Sequence, residues 1–486
     1  HAEALAAARR ALALAEAGGA DEGTLERARE FVATSEASEL AARREQELLE
    51  KDHELREALV ELRIEQIATI GNRQAEVELD QRFANAFRQY GVDLEGSDIV
   101  PALERIRERD IAREVALALD DWSRVRRRVH GPRSEKTENL YVLAMDLDPD
   151  PARMRMRAAI SEGDLPTMLD LGAPQNLAKL DPGSIFVLSA ALWDSGAPQR
   201  PAVYRIYDQA VQLHPGDYVL QSIGGTIYQD VGRFEASMAC RTAALALRPD
   251  NPTARLRNSD ALFFLGRLTE AEGSYRALIA QFPEHGEAWY SFGLCQLQLG
   301  EYDEGLRCFE RALALQDNPD WHPDLVAMRY YLGHIGREEL VKAIHAEVQP
   351  IRLITLLYPL LDHPQPARRD APFVLETLDE QATMFEGLDW VFLPRAVALL
   401  RIGDWRGAAL ELEGRYVPPT ALIVTPVAMD FVRGLVQAKL GEREAARESH
   451  ARGKARMDQL VGGNPEAWES SDVMRWRREC EAALGL

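Results

Sequence analysis

The stretch from Ala288 to Ala314, AWYSFGLCQLQLGEYDEGLRCFERALA, carries the pattern that decides the fold. Both of its halves are rich in helix-forming residues, and Gly300 separates them as a residue that permits a tight turn. Gly293 is small enough to let the second helix approach the first, and Phe309 is placed to fill the joint with a following unit. The stretch therefore predicts a helix–turn–helix unit.

The pattern around Gly300 recurs along the chain. Gly232, Gly266 and Gly300 follow one another at intervals of 34 residues. Other residues keep the same register: Pro215, Pro249 and Pro283, and the apolar residues Phe234, Leu268 and Tyr302 two places after the glycines. A 34-residue period of this content is typical of tetratricopeptide repeats (TPRs). The chain resembles this family over residues 185–315 and more weakly over 390–455, which implies a stack of helix pairs that binds other proteins.

We predict an all-α fold, a TPR-like right-handed α-solenoid of helix pairs with an N-terminal helical hairpin and long helix. The predicted segments are an N-terminal hairpin and long helix (1–88), degenerate TPR-like helices (89–182), TPR repeats (183–349), an irregular connection (350–389), and C-terminal TPR-like pairs with a capping helix (390–486). The irregular connection is placed where prolines 350, 359, 364 and 366 interrupt the pattern.

The N-terminal segment predicts a helical hairpin, residues 2–16 and 22–33, followed by one long helix over residues 35–70. Leu48, Leu55 and Leu62 recur at every seventh position of that helix. Two roles remain open at this point. The 35–70 helix could form a dimer, or it could fold back onto the repeats, which the Ala and Ile residues on its other faces favour.

The composition limits the classes of partner. The 78 acidic residues outnumber the 57 basic ones, giving a formal net charge of −21. This excess disfavours nucleic acid and anionic membranes as partners of the whole surface. No apolar run is long enough to span a bilayer, and the four cysteines fit neither a zinc site nor a disulfide framework. We expect a cytoplasmic protein with reduced thiols, and we expect the chain beginning at His1 to be a piece of a longer protein.

No catalytic motif is present, so we predict that the chain is not an enzyme. A kinase would need a glycine-rich loop, a His-Arg-Asp loop and Asp-Phe-Gly, and all three are missing. Asp146, Asp148 and Asp150 resemble the start of a calcium loop, but Pro151 and Arg157 stand where glycine and glutamate are required. We interpret these acids as a cap on the next helix, and we predict no metal and no cofactor.

The candidate binding site is the concave groove of the stack, lined by the first helix of each pair. Counting each turn glycine as position fifteen, the fifth, ninth and twelfth positions face the groove. In the repeats that turn at Gly266 and Gly300, this set, with the neighbour Phe264, is Leu256, Asp260, Phe263, Phe264, Tyr290, Leu294 and Leu297, and it is mostly apolar. None of these residues is basic, so the clamp by which some TPR proteins hold a carboxyl terminus is not expected. The groove could receive a protein or peptide partner, or it could be covered by the chain's own long helix or irregular segment.

A second candidate is an arginine run that follows an apolar helix pattern. Arg124, Arg126, Arg127 and Arg128 could bind a phosphate or another anion. The alternative is a solvated helix end, because cations are favoured near the C-terminus of a helix.

The whole chain also resembles the helical region that follows the catalytic domain in large bacterial serine/threonine kinases of eukaryotic type. The similarity lies in residues 83–91 (FANAFRQYG), 118–122 (ALDDW), 148–151 (DPDP) and 477–482 (RRECEA). It implies a non-catalytic part of a signalling kinase. We therefore expect a protein–protein interaction scaffold or recruitment module. The alternatives are a regulatory fragment of an enzyme with an upstream catalytic domain, and a TPR regulator that senses a peptide or ligand.

Overall fold

The computed structural model describes residues 1–68, 73–94, 99–131, 134–385, 391–415, 424–461 and 472–486. Within these ranges the chain forms helices and their connections and no β-strand, so the all-α prediction is confirmed. The structure divides into two compact units, His1–His214 and Pro215–Leu486, called unit 1 and unit 2 below.

Unit 1 is built from helices of very different length. In chain order they are α1 (Ala2–Ala17), α2 (Glu22–Ala68), α3 (Arg73–Tyr90), α4 (Ile99–Arg107), α5 (Ala112–His130), α6 (Glu135–Leu147), α7 (Pro151–Glu162), α8 (Leu165–Leu171), α9 (Pro174–Leu177), α10 (Pro182–Asp194) and α11 (Arg200–Leu213).

The two helices expected over residues 22–33 and 35–70 are one continuous helix, α2. No glycine or proline interrupts residues 24–68, so nothing in this stretch breaks a helix. Thr34, at the expected boundary, instead bonds its hydroxyl to the Glu30 carbonyl one turn earlier, at 2.9 Å. Residues 69 and 70 lie outside the described residues.

The later half of α2 packs into the core of unit 1. Leu55, Leu59 and Leu62 are buried in the same apolar cluster as Phe83, Phe87 and Trp122. The Trp122 ring stacks with both phenylalanines, with ring centroids 6.0 Å from Phe83 and 5.6 Å from Phe87. The later half of α2 therefore packs on α3 and α5 of unit 1.

Unit 1 extends further along the chain than the segment predicted to end at residue 182. Gly183, at the start of α10, lies so close to α5 that a Cβ there would meet the Leu117 side chain at 2.4 Å. Because α10 packs directly against α5 and its partners, the boundary falls at residues 214 and 215.

Unit 2 is a series of helix pairs. The pairs are α12 (Tyr218–Asp230) with α13 (Phe234–Leu247), α14 (Pro252–Phe264) with α15 (Leu268–Gln281), α16 (Gly286–Leu299) with α17 (Tyr302–Leu315), α18 (His322–Leu332) with α19 (Arg337–Ala346), α20 (Pro350–Asp362) with α21 (Ala371–Glu380), α22 (Phe392–Ile402) with α23 (Trp405–Leu412), and α24 (Val424–Leu440) with α25 (Arg443–Val461), followed by α26 (Asp472–Leu484). Each pair packs on the next, as in an α-solenoid.

The turn glycines explain the regular spacing of these pairs. Gly232, Gly266 and Gly300 have φ values of 70°, 71° and 80°, a left-handed conformation that other residues adopt only with strain. Inside the best repeat, a Cβ on Gly293 would lie 2.6 Å from the Phe309 ring. The two helices of this pair can therefore approach only because residue 293 has no side chain.

Residues 350–389, expected to be an irregular connection, contain α20 and α21 instead. Pro350 lies in the first turn of α20, where its missing N–H is not needed. Pro359 is accommodated inside the same helix, and Pro366 opens a short 3-10 turn before α21. The helical pairing thus continues through this segment up to residue 385, beyond which residues 386–390 lie outside the described part.

Candidate functional site

The groove residues predicted on α14 lie in the interior of unit 2. Leu256 has no exposed surface, and Phe263 and Asp260 are buried as well. The Asp260 carboxylate accepts a hydrogen bond from the Tyr275 hydroxyl at 2.8 Å and pairs with Arg257 at 3.0 Å. These three side chains hold neighbouring helices together, since none of them presents enough surface to contact a partner.

Phe264, the fourth predicted residue on α14, is half-buried. Its ring stacks parallel to that of Phe234 at 6.3 Å and meets Phe263 edge-on at 5.8 Å. The contact with Phe234 therefore connects the end of α14 to α13 of the preceding pair.

The groove residues predicted on α16 have a different environment. Tyr290, Leu294 and Leu297 are half-buried on one side of α16. Tyr290 stacks on Trp321 with ring centroids 4.8 Å apart, and its hydroxyl donates to Asp324 at 3.0 Å. Burial raises the pKa of Asp324 to about 6. The stacking and the hydrogen bond fix the orientation of Tyr290.

These residues belong to a larger half-exposed apolar surface, here called the α16–α18 strip. It consists of Tyr290, Leu294 and Leu297 of α16, Tyr302 of α17, and Leu325 and Leu332 of α18. All six pack around a small buried cluster of Leu306, Phe309 and Met328. The strip therefore has a rigid floor and an apolar upper surface that water reaches in part.

Sequence reasoning missed the α18 part of this strip. The register slips after Asp317, so Leu325 and Leu332 do not stand at the positions counted from the turn glycines. Gly333, with a φ of 78°, marks the turn that closes α18 and was the available signal.

An arginine cluster adjoins the strip at Tyr302. Arg475 of α26 donates to the Tyr302 hydroxyl at 3.2 Å and to the Asp362 carboxylate at 3.1 Å. Arg401 bonds Asp362 at 3.2 Å and holds Glu479 through two contacts, at 2.6 Å and 3.1 Å.

Arg369 completes this cluster. Its Nε donates to the His363 carbonyl at 2.7 Å, and its contact with Glu479 is 3.9 Å long. Burial, together with the nearby charge of Arg401, lowers the pKa of Arg369. Arg369, Arg401 and Arg475 come from separate parts of the sequence, and no local sequence motif predicts that their side chains lie together.

The run Arg124–Arg128 does not form an open anion site. Arg124 and Arg126 are buried, and they pair with Asp194 at 2.9 Å and with Asp80 at 2.9 Å. Arg128 pairs with Glu76 at 2.8 Å, and Arg127 donates to the Ile160 carbonyl at 3.3 Å. Acids from α3 and α10 thus fold onto Arg124, Arg126 and Arg128 and compensate their charges, whereas Arg127 stays part exposed.

The acidic loop before α7 has the capping role that the sequence indicated. Asp150 accepts hydrogen bonds from the backbone N–H groups of Ala152 and Arg153, both at 3.0 Å. Asp148 binds the buried Arg157 at 3.0 Å. Across the described residues, no group of three or more His, Cys, Asp and Glu side chains has a metal-binding arrangement.

The cysteine thiols of the described part belong to its packed interior. All four cysteines are unpaired and buried, and burial raises the pKa of the Cys240 and Cys480 thiols to about 11. Among the helices whose residues are described, none combines the length and the apolar character that crossing a membrane requires.

The comparisons with known proteins agree with the repeat pattern. The sequence model of the tetratricopeptide repeat matches residues 224–278 and 256–320. That range contains α13 to α17 and carries tetratricopeptide repeats. No curated protein sequence matches the chain.

Solved structures similar to the chain include a tetratricopeptide repeat protein. A tetratricopeptide repeat protein from Parabacteroides merdae is 16% identical, with 61% of this chain and 97% of that one covered and a TM-score of 0.32. The Cut9–Hcn1 hetero-tetramer of APC/C is 14% identical, with 86% and 88% covered and a TM-score of 0.40. The TPR2AB-domain–pHSP90 complex of yeast Sti1 is 12% identical, with 54% and 98% covered and a TM-score of 0.22. Similarity at this level carries no argument about what this chain binds.

Proposed function

We propose that the chain is a protein-interaction scaffold whose unit 2 binds an apolar segment of a protein partner on the α16–α18 strip. The observation that carries this proposal is the strip itself, a half-exposed surface of four leucines and two tyrosines over a rigid apolar floor. When a partner covers neighbouring leucine and tyrosine side chains that are partly exposed, the buried apolar surface makes the free energy of binding more favourable. Repeat arrays present surfaces of this kind to extended or helical segments.

The rigidity of the strip supports binding at low entropic cost. Tyr290 is held by Trp321 and by Asp324, and Tyr302 stacks on Tyr331 with centroids 5.1 Å apart. Aromatic side chains already fixed in place lose little freedom when a partner arrives. They are therefore suitable anchors for a bound segment.

A peptide display selection tests this proposal. A random peptide library would be selected on the full chain, and the affinities of the enriched peptides measured in solution. We expect apolar sequences to be enriched, and we expect Leu294→Asp to abolish their binding because a carboxylate would lie in the centre of the strip.

The matched control is Leu247→Asp. Leu247 ends α13 and is 40% exposed, so this variant makes the same chemical change away from the strip. Binding that survives Leu294→Asp, or a selection that enriches no peptide, would contradict the proposal.

The attachment to a serine/threonine kinase is a narrower proposal that rests on the sequence resemblance alone. Of the residues that carry the resemblance, Phe83, Phe87 and Trp122 form the core stack of unit 1, where any apolar core would require large side chains. A cytoplasmic location, and partners other than nucleic acid, likewise rest on composition. The full sequence of the gene that encodes this chain would test the kinase proposal directly.

A further inference from the structure

We propose that the arginine cluster of Arg369, Arg401 and Arg475 receives a carboxylate from an acidic side chain of the partner segment that lies on the α16–α18 strip. This inference rests on the proposed function and specifies its partner as an apolar segment that carries an acidic residue.

The cluster and the strip form one continuous surface within unit 2. Tyr302 belongs to the strip, and its hydroxyl accepts the 3.2 Å hydrogen bond from Arg475. On the other side, the Tyr302 ring lies parallel to that of Tyr331, with an interplanar angle of 6°. A segment that covers Tyr302 therefore passes directly beside the guanidinium groups.

Arg369 has the longest carboxylate contact of the three arginines. Asp362 accepts bonds from Arg401 and Arg475, and Glu479 accepts bonds from Arg401. Arg369 is left with a backbone carbonyl and a carboxylate contact of 3.9 Å. Its side chain is 15% exposed, so water compensates this positive charge only in part.

A charged guanidinium group that is mostly buried without a close carboxylate lowers the free energy of unfolding of the protein. The lowered pKa of Arg369 shows that its charged form is disfavoured by burial and by its neighbours. A purely structural arginine would gain a close carboxylate partner, as Arg401 does. An anion bound beside Arg369 would supply that partner from outside.

The resident acids indicate a carboxylate as the ligand. Glu479 accepts two hydrogen bonds from Arg401, the geometry in which planar carboxylates and guanidinium groups fit best. A polyanion is a poor partner because the chain carries a net charge of −21. Asp362 lies at the end of α20 and Glu479 lies on α26, outside the groove positions at which no basic residue for a carboxylate clamp was found.

The test uses the full chain and the peptides enriched in the display selection. We expect these peptides to carry Asp or Glu beside the apolar residues. Changing that acid to its amide should weaken binding about tenfold, the loss of one charge-assisted pair. Arg369→Gln should weaken binding of the acidic peptide to the same extent and should leave binding of the amide peptide unchanged.

Arg311→Gln is the matched control. Arg311 lies on α17, is 43% exposed and pairs with Glu284 at 2.8 Å, so its loss removes the same charge from unit 2 without touching the cluster. The melting temperatures of Arg369→Gln and Arg311→Gln show whether both variants are folded when their affinities are compared. An equal loss of affinity for the acidic peptide in the two variants would overturn the inference.

Two further outcomes decide between this inference and the proposed function. Equal affinity for the acidic and amide peptides, with binding still abolished by Leu294→Asp, would overturn the carboxylate site and leave the strip as the binding surface. Displacement of the acidic peptide by inorganic phosphate at constant ionic strength would overturn the choice of carboxylate. A selection that enriches no peptide would overturn both proposals.

Discussion

The hydroxyl of Tyr290 donates a hydrogen bond of 3.0 Å to the carboxylate of Asp324, which lies 34 residues further along the chain. This distance in sequence is one repeat, so the bond joins α16 to α18 across the strip. Burial raises the pKa of Asp324 to about 6, and the hydrogen bond from Tyr290 acts in the opposite direction.

This pKa makes the stability of unit 2 depend on pH. A carboxyl whose pKa is higher in the folded than in the unfolded state stabilises the fold while it is protonated, and that contribution is lost as the pH rises through about 6. We expect Asp324 to account for a fall of about 2 kcal/mol in the free energy of unfolding between about pH 4 and pH 7. Urea unfolding across that range measures it.

Asp324→Asn keeps the hydrogen-bond acceptor and removes the titration, so its stability should fall less over the same range. Other buried acids, such as Asp120, are present in both proteins and cancel in the difference. Tyr290→Phe should shift the titration to higher pH, because the donor that favours the ionised form is lost. Superimposable pH profiles for wild type and Asp324→Asn would contradict this account.

Gly293 is predicted to be intolerant of a side chain. Gly293→Ala places a Cβ 2.6 Å from the Phe309 ring, and Phe309 is fully buried. We expect a loss of about 2 kcal/mol in the free energy of unfolding, because the α16–α17 pair must separate or Phe309 must leave its rotamer. Chemical denaturation of the full chain gives the value.

The control is Gly273→Ala on α15, where an added Cβ would meet no atom within 4 Å. Gly273 is exposed in the middle of a helix, so alanine there should raise stability by about 0.5–1 kcal/mol. The opposite signs expected at the two sites separate helix packing from helix propensity, and equal effects would argue against the contact with Phe309.

Arg126 should behave as a structural residue of unit 1. It pairs with Asp80 at 2.9 Å and lies over the Trp122 ring, with its guanidinium carbon 4.1 Å from the centroid. Arg126→Ala leaves a largely buried carboxylate without its main partner, and we expect a loss of about 3 kcal/mol. Arg155→Ala, at a 61% exposed arginine 3.7 Å from Asp170, should change the free energy of unfolding by less than about 1 kcal/mol.

A second measurement tests whether Arg126 binds anions. Inorganic phosphate should not raise the melting temperature of the wild type or of Arg126→Ala. A phosphate-dependent rise in the wild type that Arg126→Ala removes would contradict the structural role.

The turns of unit 2 could be predicted because they depend on single residues. Only glycine adopts the left-handed conformation at positions 232, 266 and 300 without strain, so its spacing alone fixes where each pair turns. The close approach at Gly293 follows from the same local reasoning. These features need no knowledge of distant contacts.

The buried ion pairs that join separate helices could not be predicted where their residues lie far apart in sequence. Arg124 and its partner Asp194 are 70 residues apart, and Arg401 and Glu479 are 78 apart. A run of arginines has the same local sequence pattern whether its side chains face water or pair with acidic side chains from other helices. For the same reason the repeat positions of Leu256 and Phe263 did not show that neighbouring helices cover them.

Whether α2 can form a dimer depends on which of its apolar side chains remain exposed to a second copy of the chain. Leu55 and Leu62, two of the three heptad positions, are buried in unit 1's own core, whereas Leu48 is 41% and its neighbour Leu49 is 55% exposed. Phe31 and Leu40 of α2 are also exposed, at 57% and 50%. A stable dimer buries on the order of 800 Å² on each partner, more than these four part-exposed side chains supply. We therefore expect sedimentation velocity to give the monomer mass at micromolar concentration, unchanged in Leu48→Glu and Leu49→Glu. A dimer that either substitution dissociates would instead show that the exposed part of α2 is an interface, since both changes lie outside the buried cluster and leave the fold of unit 1 intact.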